Sequence, residues 1–178
     1  MDFDLLKKVV SDYNVFCSIA ENLEWIKIKE AHENWFRTYP LGIFVDAYEF
    51  PEGYVQSNIA DAYVRTILSE MAFSEGWDKD FWDIPQEERK RCLTEGILLY
   101  KPYAVIQEVR FIERSWEYLA QAIEYFATKN KISVLEQKKY IDKFQGAKVI
   151  EIGGWYNDFI YMAMKQNLML IVFCGFWD

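Results

Sequence analysis

At 178 residues, 52% of them apolar, the chain is sized for one domain whose folding removes roughly 70% of the unfolded surface from water, which argues against a disordered or staple-dependent polypeptide. A net charge of −8 argues against the basic surface that nucleic acid or an anionic membrane demands. Cys17, Cys92 and Cys174 are odd in number and widely spaced, so neither a disulfide framework nor a zinc site is expected.

The opening, MDFDLLKKVV, has acids where a secretory signal needs positive charge, and a cytoplasmic location is expected. Phe3, Leu6, Val10, Tyr13 and Phe16 recur at helical spacing and predict one helix from residue 3 to about 20, capped by Asp2 or Asp4. A second helix is predicted over Glu21 to Arg37, although WIKIK alternates as a strand does. Tyr39-Pro40 ends that section. GIFVDAYEF (42–50) is aromatic and β-branched and predicts a strand; Pro51-Glu52-Gly53 predicts a turn, and Tyr54-Val55 a return strand. Ile59, Tyr63, Ile67 and Met71 predict a helix from Asn58 to about Phe73. Residues 74–85 have no period and read as a loop, and Pro85 suits the first position of a helix reaching about Glu95.

The longest periodic signal follows. Val105, Val109, Ile112, Trp116, Leu119, Ile123 and Phe126 are separated by steps of three and four, which predicts a helix from about 102 to 128. A second stripe, Phe111, Ser115, Tyr118, Ala122 and Tyr125, lies beside the first. So wide an apolar arc calls for cover on two sides, and this helix is predicted to be the centre of the fold. Ser133 and Glu136 form a capping box for a short helix to Phe144, stopped near Gly146. KVIEI (148–152), DFIYMAMK (158–165) and LMLIVFC (168–174) predict strands, the last two joined at Gln166-Asn167. The final strand is apolar on both faces and must be covered on both. The expectation is a single α+β domain over 1–178, helix-rich around the 102–128 helix, with a small, mostly antiparallel sheet and a C-terminal β-hairpin.

Chemistry is sparsely marked. His32, the one histidine, sits in KEAHENW without a recognisable nucleophile, and HENWF lacks the second histidine of a zinc-binding HExxH. Asp78, Asp80 and Asp83 lack the glycine and distal glutamate of a calcium loop. No phosphate-binding glycine loop is present, and no cofactor or metal is expected. Glu108 falls in the apolar arc of the 102–128 helix, where a carboxylate is either hydrogen-bonded at the helix N-terminus or kept neutral for acid–base work. An enzyme built on Glu108 or His32 is one alternative function. From Phe159 to Trp177 only Lys165, Gln166 and Asn167 interrupt an apolar run; they fall where a hairpin turn belongs, so stable membrane insertion is not expected, and a membrane-associated accessory protein is a further alternative.

The negative charge is concentrated. Residues 74–88 hold Glu75, Asp78, Asp80, Asp83, Glu87 and Glu88 against Lys79 alone, five of the eight net negative charges. Trp77, Phe81 and Trp82 are interleaved with them. Such a segment is either a solvated loop anchored by its aromatics or a recognition surface for a basic partner. DAYEFPEG (46–53), with Tyr48 and Glu49, is a second acidic-aromatic candidate. In size, charge and the 74–88 segment the chain resembles the immunity proteins of bacterial toxin systems. That resemblance implies a non-enzymatic inhibitor that occludes a cognate, basic toxin. Glu75, Trp77, Asp78, Asp80, Trp82, Asp83, Tyr48 and Glu49 are the residues expected to contact it.

Overall fold

A computed structural model of the chain describes residues 2–24, 26, 29–37, 41–74, 85, 87, 108–154 and 159–176. Strands β1 (Lys29–Arg37), β2 (Leu41–Glu49), β3 (Glu108–Arg114), β4 (Lys148–Gly154), β5 (Phe159–Lys165) and β6 (Leu168–Phe176) form one sheet, ordered β1-β2-β6-β5-β4-β3 and antiparallel throughout. The C-terminal hairpin is its centre. β5 and β6 pair from Lys165↔Leu168 outward, and β6 pairs β2 without a register break from Leu41↔Phe176 to Glu49↔Leu168. Asn167, in the turn, donates from its side-chain amide to Glu49 Oε1 and to the Phe50 carbonyl, each at 3.3 Å.

Side-chain alternation then divides the interior in two. Met169 and Ile171 of β6 point to one face, Leu170 and Val172 to the other, and all four are buried. On the first face, with Ile150, Ile152, Met162 and Ile171, pack helices α1 (Phe3–Ser11), α2 (Tyr13–Asn22), the short α3 (Tyr54–Ser57) and α4 (Ile59–Ser74). On the second, α5 (Trp116–Lys129) lays Trp116, Leu119, Ile123 and Phe126 over Val45, Val149, Ala163 and Val172. The helix α6 (Val134–Ile141) and a 3₁₀ turn (Asp142–Phe144) then bring Phe144 under Trp116, ring centroids 5.9 Å apart. The result is an α+β domain of three layers with the antiparallel sheet in the middle. A buried Arg65 ties the first layer together: it donates to the Tyr54 hydroxyl (3.1 Å) and to the Glu24 carbonyl (2.6 Å).

Several sequence expectations hold. The strand at 42–50, the helix opening near Asn58, the C-terminal hairpin and the Ser133 cap are all present, with Ser133 Oγ accepting from Glu136 N at 3.2 Å. Others do not. The predicted 102–128 helix starts only at Trp116; residues 108–114 are strand β3, and 102–107 lie outside the described residues. The step of three from Val109 to Ile112 crosses a β-bulge, where Phe111 sits at φ 51°, and so imitates a helical step. Ser115, extended at φ −76°, ψ 156°, begins the true helix by accepting from Tyr118 N. The predicted centre is therefore replaced by the sheet, and α5 covers one of its faces.

The first predicted helix breaks at Asp12, whose carboxylate caps α2 through Asn14 N at 2.9 Å. The helix predicted over 21–37 stops at Asn22. Its second half is the edge strand β1, whose alternation is disrupted by register shifts between Glu30 and His32 and between His32 and Phe36. Tyr54-Val55 opens α3 instead of a return strand, because Gly53 at φ 74° turns the chain into a helix. The helix predicted from Pro85 lies outside the described residues, apart from Pro85 and Glu87.

Candidate functional site

Glu75, Trp77, Asp78, Asp80, Trp82 and Asp83 all lie outside the described residues. Tyr48 is 5% exposed and belongs to the core beneath α4, so it is a packing residue and not a surface anchor; its place on the helix-covered face of β2 buries it. Glu49 is half-buried and holds the hairpin turn through Asn167. His32 lies on edge strand β1 opposite Ala47, not on a helix. Glu108 opens β3 opposite Gly154, so the helix N-terminus that would have favoured its charge is not there. The structure does not bring Glu108 and His32 together, since β3 and β1 are opposite edges of the sheet.

A different group of residues converges at the junction of β3, β4 and α5. Val149 of β4 faces the α5 core, and Glu151, two residues on, shares its face. Its carboxylate is 3% exposed, a position where a charge must be paired. Arg114 answers it: Nε and Nη2 both reach Oε2 at 2.7 Å. That hydrogen bond, foremost, raises the guanidinium above its usual pKa. The guanidinium carbon lies 4.9 Å from the centroid of the Tyr118 ring, which packs 6.2 Å from Tyr161, the cross-strand neighbour of Glu151. Arg114 is therefore held on three counts: by the buried acid, by the aromatic face and by its place at the end of β3. About a third of its side chain still reaches solvent.

From this point α5 carries a surface. Its inward residues face the sheet, which turns Tyr118 and Tyr125, one heptad apart, outward; they are 46% and 56% exposed. Lys129 Nζ lies 5.6 Å from the centroid of the Tyr125 ring, and Tyr125 meets Phe126 edge-on at 5.5 Å. Gln121, Glu124, Tyr125, Thr128 and Lys129 line a shallow hollow of about 340 Å³ between them. Ile112, on the same face of β3 as Arg114, is 37% exposed beside the cluster. The arrangement offers aromatic faces, one immobilised cation and acidic rims, which is chemistry for recognition.

In the sequence, Tyr118 and Tyr125 belong to the second stripe of the 102–128 segment, while Arg114, Gln121 and Glu124 carry no signal that joins them to it. Only the helix's seating on the sheet separates the stripe that is buried from the one that is displayed. Among the described residues no group of acids, cysteines and histidine is placed to hold a metal ion, and no helix is long and apolar enough to cross a membrane. The Phe159–Trp177 run contains the β5–β6 hairpin.

Fold and surface thus define a class: an antiparallel α+β domain that displays an aromatic and charged helix face. Comparison with protein-family models, with curated proteins and with solved structures finds no match.

Proposed function

We propose that this chain is a protein-binding inhibitor, acting in the cytoplasm as an immunity protein that neutralises a basic toxin by one-to-one occlusion, without catalysis or a cofactor. The observation that carries the reading is the pair of half-exposed tyrosines on α5 beside an arginine locked by a buried glutamate. Tyrosine and arginine are among the residues that most often dominate binding energy at protein interfaces, tyrosine because it buries a large area with only two torsions to restrain, arginine because its planar fork makes several directed hydrogen bonds. An arginine already immobilised by Glu151 loses little further freedom when a partner covers it. The net charge of −8 supplies long-range attraction for a basic partner. The acids of 74–88, Glu75, Asp78, Asp80 and Asp83, concentrate that field, and Trp77 and Trp82 add anchors to it.

The test is to look beside the gene for a large protein that ends in a small basic toxin domain, and to co-express that domain with the chain; absence of such a neighbour counts against the reading. Survival of the host, a one-to-one complex on purification and inhibition complete at one equivalent are expected. Reversing Asp78, Asp80 and Asp83 to Lys should slow association steeply, and most at low salt. No complex, or inhibition far below one equivalent, would sink the proposal.

A further inference from the structure

We infer that the outward face of α5 is the seat for one amphipathic, basic helix of a protein partner; this rests on the protein-binding reading above and specifies the element that binds. The hollow on α5 has a particular geometry. Gln121, Glu124, Tyr125 and Thr128 stand at i, i+3, i+4 and i+7, the diamond of four residues that receives one side chain of a facing helix in knobs-into-holes packing. Tyr118 and Tyr125 repeat at seven residues, about 10.5 Å along the axis, so the two side chains leave the helix in directions within roughly 20° of each other. A facing helix with its own heptad seam can meet both.

Charge selects the occupant. Glu117 and Glu124 also stand seven apart, on one flank of the tyrosine seam, both exposed and neither in an ion pair with another described residue. The other flank carries Ala122 and Lys129, and that lysine lies on the Tyr125 ring. A helix laid along the seam therefore meets an acidic rail on one side and must bring Lys or Arg to it. An antiparallel second copy of this chain fits poorly, because pairing about the midpoint of the seam sets Glu117 against Glu124 of the other copy, and a parallel copy brings only Ala122 and Lys129, a single cation for two glutamates. The long aliphatic stem of an arginine or lysine would lie over Tyr125 in the hollow with its charge at Glu124.

The probe is a synthetic peptide of about three heptads, with a leucine seam flanked by arginines, compared with a scrambled peptide of identical composition. Fluorescence anisotropy gives affinity, and amide chemical shifts locate the contact on the full chain. The seam peptide should bind with shifts confined to α5 and its neighbours, and the scrambled one at least tenfold more weakly. Glu117→Gln with Glu124→Gln, which alters only solvent-facing groups, and Tyr125→Ala should each weaken the seam peptide by about tenfold, the loss expected of an interface anchor. Equal affinity for both peptides, or unchanged affinity in both variants, overturns the inference. If the peptide fails while the toxin is still neutralised, the seat is lost and the inhibitor reading stands. If the peptide binds on α5 while the toxin is untouched, the inhibitor reading falls and the seat remains.

Discussion

Ile171 and Val172 are consecutive residues at the centre of β6, both fully buried, and they face two cores that share no residue. Replacing each by alanine tests the three-layer architecture directly. Val172→Ala removes two carbons, about 1.6 kcal/mol at roughly 0.8 kcal/mol per methylene. The void left between α5 and the sheet, on the order of 50 Å³, adds about 1.2 kcal/mol at ~24 cal/mol per Å³ if its walls hold. The expected loss is therefore about 1.5–3 kcal/mol, the lower end applying if Leu119 or Ile123 relaxes inward. Ile171→Ala, on the side of α1, α2 and α4, should lose ~2–5 kcal/mol. Urea denaturation reads both as a shift of midpoint at unchanged slope, and in a chain of this length each kcal/mol also lowers Tm by roughly 2–4 °C. With the side chains on opposite faces, the double variant should lose nearly the sum, to within about 0.5 kcal/mol. A loss below ~0.5 kcal/mol for Val172→Ala, the value of an exposed site, would mean that α5 does not close that face, and the reasoning would fail.

Three further outcomes are expected. Ser133→Ala removes the side-chain acceptor for Glu136 N at the start of α6 and should destabilise by about 1 kcal/mol in the same urea assay, since the helix is only eight residues long. Gly146→Ala should lose about 1–2 kcal/mol from its left-handed backbone alone, because φ is 76° and nothing lies within 4 Å of an added Cβ; a neutral result would refute the backbone account. At high pH the buried tyrosines resist ionisation: burial, then Cys17, pushes Tyr13 from 10.0 up to about 12, and burial raises Tyr54 and Tyr63 as well. Above pH 10 the unfolded chain releases these protons while the folded chain keeps them, so stability falls as pH rises from about 10 towards 12. Tyrosinate absorbance should then show one fraction ionising with the folded protein and another only on unfolding; a single smooth titration of all twelve tyrosines would contradict the burial.

The local signals that survived folding are those made by residues close in sequence. The apolar, β-branched runs in KVIEI and LMLIVFC, the Gln166-Asn167 turn and the Ser133 cap depend on a handful of neighbours, and the structure uses each of them. The failures come from competition between a local pattern and a distant partner. KEAHENWFR has no strand period of its own, yet it pairs with β2 through two register shifts. VRFIER kept a helical spacing while pairing with β4 across a bulge.

What the sequence by itself determined is the class of domain and the demand that β6 be covered on both faces, because an unbroken apolar run within one strand is a local property. Tertiary structure alone decided what does the covering. Residues 116–129 carry two neighbouring stripes, both with aromatic rings, whose combined arc reads as calling for cover on both. Packing against Val45, Val149 and Val172 buries Trp116, Leu119, Ile123 and Phe126, and so leaves Tyr118 and Tyr125 outside. The pairing of Arg114 with Glu151, 37 residues apart, was likewise invisible until β3 and β4 were laid side by side.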